Sequence, residues 1–212
     1  MIKVHSFIFN SFLENTYILY EETKECIIID PGCCEINENR TLSAFIEKQG
    51  LKPVRLINTH CHIDHILGND FVCVKYGLLP EYHKGEIPLV EAAPKIADMY
   101  GMNYSPFPAA EKYLDEGDVI HFGNTSLEIL FTPGHSPASL CFYSSSAGIL
   151  IAGDVLFYGS IGRTDLPGGD YDTLIRSINE KLMILPDETI VFPGHGERTT
   201  IGYERKSNPF LQ

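Results

Sequence analysis

Positive charge is scarce in this chain: 16 Lys plus Arg stand against 28 Asp plus Glu, a formal net charge of −12 over 212 residues. Nucleic-acid binding draws on counterion release from a basic face, and an anionic membrane surface asks for the same. Neither partner is expected. Apolar runs are short, Gly148 to Ala152 being typical, against the roughly 20 residues that a membrane span needs. The opening Met-Ile-Lys-Val-His-Ser-Phe lacks a basic region leading into an apolar one. Six cysteines occur with no Cys-x-x-Cys pair, which speaks against a disulfide framework and for a reduced, cytoplasmic setting. No Pro-, Ser- or Gly-rich linker interrupts the chain, so residues 1–212 are read as a single domain. Hydrophobic residues, at 44% with 12 Phe and 11 Tyr, suffice for a packed core.

β-rich runs at Val4 to Phe9, Thr16 to Tyr20 and Cys26 to Asp30 come first, the last closed by Asp30-Pro31-Gly32. A helix is expected over Arg40 to Gln49, a strand over Val54 to Asn58, and a helix over Glu86 to Gly101 that Pro94 breaks or kinks. Met102 to Ala110 reads as an irregular loop. Strands follow at Val119 to Phe122, Ser126 to Phe131, Leu140 to Tyr143 and Ile149 to Ala152, then a helix over Asp172 to Leu185 and a strand over Thr189 to Phe192. The tight connections between consecutive strands suit antiparallel hairpins better than a doubly wound parallel sheet. The order implies an α/β fold with two sheets between helices.

Residues 59 to 65 read Thr-His-Cys-His-Ile-Asp-His. With 8 His and 11 Asp in the chain, chance places His60, His62, Asp64 and His65 in that frame with a probability of ~6 × 10⁻⁴. Imidazole nitrogens and carboxylate oxygens that converge are what a divalent transition metal requires. Period two in an extended segment points His60 and His62 to one side, and a helical turn near Asp64 aims Asp64 and His65 at a neighbouring point, enough for two ions. Three further candidates sit where a buried strand opens into a Gly-containing turn: His135 in Thr-Pro-Gly-His, Asp154 in Ala-Gly-Asp and His195 in Pro-Gly-His. His5, His83 and His121 lack that context and are read as structural.

This ordered set resembles the metallo-β-lactamase superfamily, over most of the chain from His60 to His195. The resemblance implies a four-layer αββα sandwich with the site at the sheet edges. It also implies two divalent ions, zinc foremost with iron or manganese as alternatives: one on His60, His62 and His135, the other on Asp64, His65 and His195, with Asp154 bridging. A Gly-Asp bridge and the run Gly159 to Asp170 are similar to the short, single-domain glyoxalase II (hydroxyacylglutathione hydrolase) branch. The implied activity is hydrolysis of a small thioester of the S-lactoylglutathione type by a metal-bridging hydroxide, with Asp64 and Asp154 at the catalytic centre and Tyr158 as a donor to the developing oxyanion. A thiolate leaves without a strong general acid, which favours thioesters over amides. Arg163, Arg205 and Lys206 are candidate contacts to a substrate carboxylate. Seventeen residues follow His195, which leads us to expect a shallow thiol-carrier pocket and a high KM. Gly162-Arg163-Thr164-Asp165 is shared with persulfide dioxygenases of the same fold, whose single iron would use His60, His135 and Asp154. That chemistry is the alternative, ahead of a lactonase or a non-catalytic metal-binding module. Oligomeric state is left open.

Overall fold

The computed structural model describes residues 1–212. β1 (Lys3–Phe9), β2 (Glu14–Tyr20) and β3 (Glu25–Ile29) form an antiparallel meander. Helix α1 (Ile36–Gln49) then carries the chain back, so that β4 (Lys52–Ile57) lies parallel to β3. Two short helices, α2 (Ile63–Ile66) and α3 (Asn69–Tyr76), lead to β5 (Pro80–Glu81), which completes a sheet in the order β1-β2-β3-β4-β5. After α4 (Ile87–Tyr100) come β6 (Val119–Phe122), β7 (Thr125–Phe131), β8 (Leu140–Ser144) and β9 (Ile149–Gly153), all antiparallel. A small hairpin of β10 (Leu156–Phe157) and β11 (Ser160–Ile161) and helix α5 (Tyr171–Ser177) follow. Strand β12 (Ile190–Pro193) returns parallel to β9, β13 (Thr199–Thr200) pairs antiparallel with β12, and α6 (Ile201–Ser207) comes next. The second sheet runs β13-β12-β9-β8-β7-β6.

Strand alternation builds the layers. Ile27 and Ile29, with Tyr17, Leu19 and Ile57, meet Ile120, Phe122, Leu127, Phe142 and Ile151 of the second sheet. Their alternates Ile18, Cys26, Ile28 and Leu56 pack outward on Leu42 and Ile46 of α1 and Val72 of α3. On the far side Cys141, Leu150, Ala152 and Val191 meet Leu174, Ile178 and Leu182. The result is the αββα sandwich, and a one-residue slip of β3 would exchange its two apolar faces. Both parallel crossings, β3 to β4 and β9 to β12, leave strand ends on one side, where loops carry the polar residues described below.

Several elements differ from the expected ones. α1 starts at Ile36 rather than Arg40, because Glu35 and Glu38 form a reciprocal capping box. α4 continues through Pro94, its packing of Leu89, Ala93 and Ala97 outweighing one lost backbone bond. The helix expected over Asp172 to Leu185 begins at Tyr171, capped by Asp170, and passes after Ser177 into a π-helical turn, Ile178–Leu182, which keeps Leu174, Ile178 and Leu182 all in the core. Helices α3 and α6 and strands β5, β10, β11 and β13 lie outside the expected elements, most of them too short to show a period.

Candidate metal centre

Each ligand candidate is delivered by the end of a buried element. Strand β4 stops at Ile57, and the irregular stretch that follows brings the rings of His60 and His62 to 4.9 Å between centroids. α2 turns Asp64 and His65 inward, and both are buried. His135 lies on the β7–β8 connection, Asp154 directly follows β9, and His195 follows β12. All seven candidates come together. His60, His62 and His135 form one group and Asp64, His65 and His195 another, each with donor atoms within 4.8 Å of one another; Asp30 also reaches His60 and His65.

Asp154 lies between the two groups. Its Oδ2 is 3.5 Å from Nε2 of His135 and 3.5 Å from Nε2 of His195, while Oδ1 is 3.4 Å from Nε2 of His65. His195 Nε2 is 3.1 Å from Asp64 Oδ2, and His62 Nδ1 is 2.9 Å from His135 Nε2. Separations of 3.4–3.5 Å are long for a hydrogen bond. They match the edge of a tetrahedron whose centre is ~2.1 Å from each ligand, which is ~3.4 Å. Nε2 of His60 and His65 and Oδ1 of Asp154 are buried with no hydrogen-bond partner, an arrangement that costs ~1–3 kcal/mol per group unless something binds there. Unpartnered imidazole and carboxylate atoms at these spacings fit divalent metal.

The far side of most of these rings is tethered, which sets both ring orientation and the tautomer. His135 Nδ1 donates to the carbonyl of Arg163 (2.8 Å) and His195 Nδ1 to that of Phe12 (3.0 Å). His65 Nδ1 donates to Asp30 Oδ2 (3.2 Å), and His60 Nδ1 lies 3.0 Å from Thr59 Oγ1, which itself donates to Asp30 Oδ2 at 2.5 Å. Asp30 is thus a carboxylate behind two ligands. In the sequence Asp30 served only as part of a strand stop, although an acidic residue closing the apolar run Ile27-Ile28-Ile29 was a readable signal. Its backbone is left-handed, with φ 49°. The β1–β2 turn reaches the same place: Asn10 Nδ2 donates to the carbonyl of Asp64 (3.0 Å). Asn15 Nδ2 donates to those of Pro193 (3.0 Å) and Gly196 (2.9 Å), and Tyr17 Oη to Pro193 (2.6 Å).

Electrostatics prepare His60, His62 and Asp154 for ligation, while His65 would release a proton on binding a metal. Burial, then the surrounding imidazoles, hold His60 well below its usual pKa, and burial with His135 brings His62 down to about 3. Both rings are therefore neutral donors. Burial opposes charge on Asp154, yet His65 above all, with His135 and His195, keeps its carboxyl far below the carboxylate range. Burial likewise disfavours a charged His65, but Asp64 and Asp154 override it and raise the ring well above 6.5. A side chain at Gly194 would collide with Asp154 Oδ1, so that position admits only glycine.

A family model described as the metallo-beta-lactamase superfamily matches residues 11–195. The chain belongs to that superfamily. It is 42% identical to "Probable metallo-hydrolase YqgX" of Bacillus subtilis, across 93% of this chain and 92% of that one. It is 37% identical to "Hydroxyacylglutathione hydrolase GloC" of Haemophilus influenzae, across 95% and 94%. Among solved structures, BLEG-1 B3 metallo-beta-lactamase superposes with a TM-score of 0.90 at 35% identity, covering 100% of both chains. TTHA1623, in a di-iron-bound form, superposes at 0.88 with 36% identity, over 98% of this chain and 100% of that one. Fold, ligand cluster and relatives together make this metallo-β-lactamase-fold chain a metal-dependent hydrolase.

The substrate-contact candidates are placed less favourably. The Arg205 guanidinium donates to the carbonyls of Met183 (2.6 Å) and Leu185 (2.8 Å) and pairs with Asp187, so its donors are engaged in holding α6 to the segment after α5. Lys206 reaches the same Asp187 at 3.7 Å from an exposed position. Arg205 is thus engaged within the fold, while Lys206 remains exposed. Arg163 is exposed and forms a two-pronged pair with Asp165 (2.7 and 2.6 Å), while its carbonyl anchors His135. Tyr158 is 54% exposed and stacks on Tyr203 with centroids 4.9 Å apart.

Proposed function

We propose that this chain hydrolyses small thioesters, of the S-lactoylglutathione type, at a dinuclear divalent centre. One observation carries the dinuclear reading: Asp154 offers an oxygen to imidazoles of both groups within 3.5 Å. On that reading His60, His62 and His135 hold one ion, Asp64, His65 and His195 the other, and Asp154 is common to both. Ions held there supply activated water and a Lewis acid for a substrate carbonyl. The tethered imidazoles fix where these donors sit, Asp30 and the carbonyls of Arg163 and Phe12 keep the rings from turning, and Asp154 remains ionised throughout the neutral range. The cluster includes no unengaged acid placed to protonate a leaving amine, a lack that costs a thiolate leaving group nothing. The Haemophilus relative, matched nearly end to end, supports this acyl-transfer chemistry.

The test is steady-state turnover on zinc-loaded and iron-loaded protein with S-lactoylglutathione, with thioesters of other thiols, with a β-lactam, and with a persulfide under oxygen monitoring. Thioester turnover well above the other arms is expected. Oxygen consumption with the persulfide would assign the iron dioxygenase reaction instead, and a β-lactam preferred over every thioester would assign amide hydrolysis.

A further inference from the structure

Glu86 is fully buried, terminates the 3₁₀ turn Lys84–Glu86, and stands at the start of α4. A carboxylate so far from water is costly unless paired or fully hydrogen-bonded. No basic side chain lies within salt-bridge distance of it, and burial pushes its pKa up. Instead it accepts three short hydrogen bonds. Oε2 takes the backbone N–H of Cys61 (2.8 Å), and Oε1 takes the hydroxyl of Ser136 (2.7 Å) and the backbone N–H of Ala138 (2.7 Å). Ser136 Oγ in turn lies 2.6 Å from Ser139 Oγ.

The positions of these donors matter more than their number. Cys61 is the residue between His60 and His62, and Ser136 directly follows His135. One carboxylate therefore fastens the first ligand loop to the second, across separations of 25, 50 and 52 residues. The contact it spans is the one where His62 Nδ1 and His135 Nε2 stand 2.9 Å apart. The other group is held by Asp30 behind His65, which also reaches His60 through Thr59, by the Phe12 carbonyl behind His195 and by Asn10 on the carbonyl of Asp64, none of which involves Glu86.

We propose that Glu86 is a positioning residue for one half of the metal centre: it sets the spacing of the His60–His62 loop and the His135 loop, and with it the affinity for the ion that those three histidines hold. The proposal rests on the dinuclear reading above. An amide cannot replace the carboxylate, because a Gln side chain turns an NH2 toward either the Cys61 N–H or the Ala138 N–H, donor against donor.

The experiment is Zn²⁺ titration of the chelator-treated full chain in competition with a chromophoric chelator, for wild type, Glu86→Gln and Ser136→Ala. Co²⁺ absorption spectra and thermal midpoints are recorded alongside. For Glu86→Gln the affinity of one ion is expected to fall by ~10- to 100-fold, the range seen when a group behind a metal ligand is removed, while the other stays within a few-fold. Ser136→Ala, which deletes one of the three bonds, is expected to shift the same ion less. Its spectral change should coincide with that of Glu86→Gln. Equal weakening of both ions, or a lowered thermal midpoint with both affinities intact, would overturn the proposal and leave Glu86 a purely structural residue. If Glu86→Gln does not fold, Ser136→Ala carries the same two outcomes. A wild-type chain that takes up a single ion would defeat the dinuclear reading instead, a result visible before any variant is compared.

Discussion

The seven ligand candidates do not contribute equally, and Asp154 is the one whose removal reaches furthest. It is the carboxylate that meets imidazoles from both groups, whereas Asp64 meets only His65 and His195. Elemental analysis of Asp154→Ala is expected to show both ions lost or weakly held, with turnover down by at least ~10²-fold, while Asp64→Ala retains about one ion. Retention of two ions by Asp154→Ala would contradict its shared position. A second consequence concerns acid. Burial and then His135 hold His62 near 3, against an ordinary value of 6.5. Between those values the unfolded chain binds the proton that the folded chain refuses, so stability rises with pH across that window and is lost as pH falls below about 6.5, by up to ~1.4 kcal/mol per pH unit for the one ring. Denaturant midpoints of the chelator-treated chain at pH 7.5 and 5.0 should therefore differ, and His62→Asn should narrow the difference. His60 and His135 are lowered as well and act in the same direction, while His65, raised by Asp64 and Asp154 after burial is overcome, opposes them, so His62→Asn removes one share of the difference and not the whole.

At the level of elements, α6 gives one of its basic residues partners that the sequence did not suggest. Arg205 and Lys206 fall just after the last ligand in the chain, which invited a substrate role. The fold turns Arg205 onto the carbonyls left open after the π-helical turn Ile178–Leu182. Arg205→Ala is accordingly expected to lower unfolding free energy by about 1–3 kcal/mol while leaving KM unchanged. A raised KM with unaltered stability would restore the substrate role. The first ligand loop was legible from the spacing of His60, His62, Asp64 and His65, and the later three because each couples a titratable side chain to a glycine at the end of an apolar strand, as in Ile151-Ala152-Gly153-Asp154. The supports behind them were not. Glu86 and the carbonyls of Phe12 and Arg163 carry no local pattern, and their partners lie 25 to 183 residues away. Likewise β13 and the β10–β11 hairpin, at two residues a strand, offer no period to read.

For the molecule as a whole, the order of elements and the tight strand connections were enough to indicate two sheets with helices outside them, and in the structure β3, β8 and β9 each bury both faces against different neighbours. Strand order was not indicated, since it depends on α1 and α5 packing on opposite outer faces. The charge of −12 bears on partners at this scale. Binding of structured RNA or duplex DNA at physiological salt should be weaker than ~10⁻⁴ M in a filter or anisotropy assay, the weak end of ordinary non-specific affinity. Measurable cleavage of either at low protein concentration would mean that the active cleft carries a basic path the net charge conceals.

The bonds from Asn15 and Tyr17 to Pro193 and Gly196 have a further consequence, in time rather than space. They join the second strand made to nearly the last, 176 to 181 residues apart. During synthesis at ~5–20 residues per second, roughly 7–27 s separate the emergence of His62 from that of His195. His60 and His62 are thus made early, and His135 joins them part-way. Asn15 and Tyr17 must wait for almost the whole chain. A nascent chain stalled before Pro193 would hold His60, His62 and His135 with the opening hairpin still unlatched, so metal supplied during translation would meet the two halves of the centre in sequence.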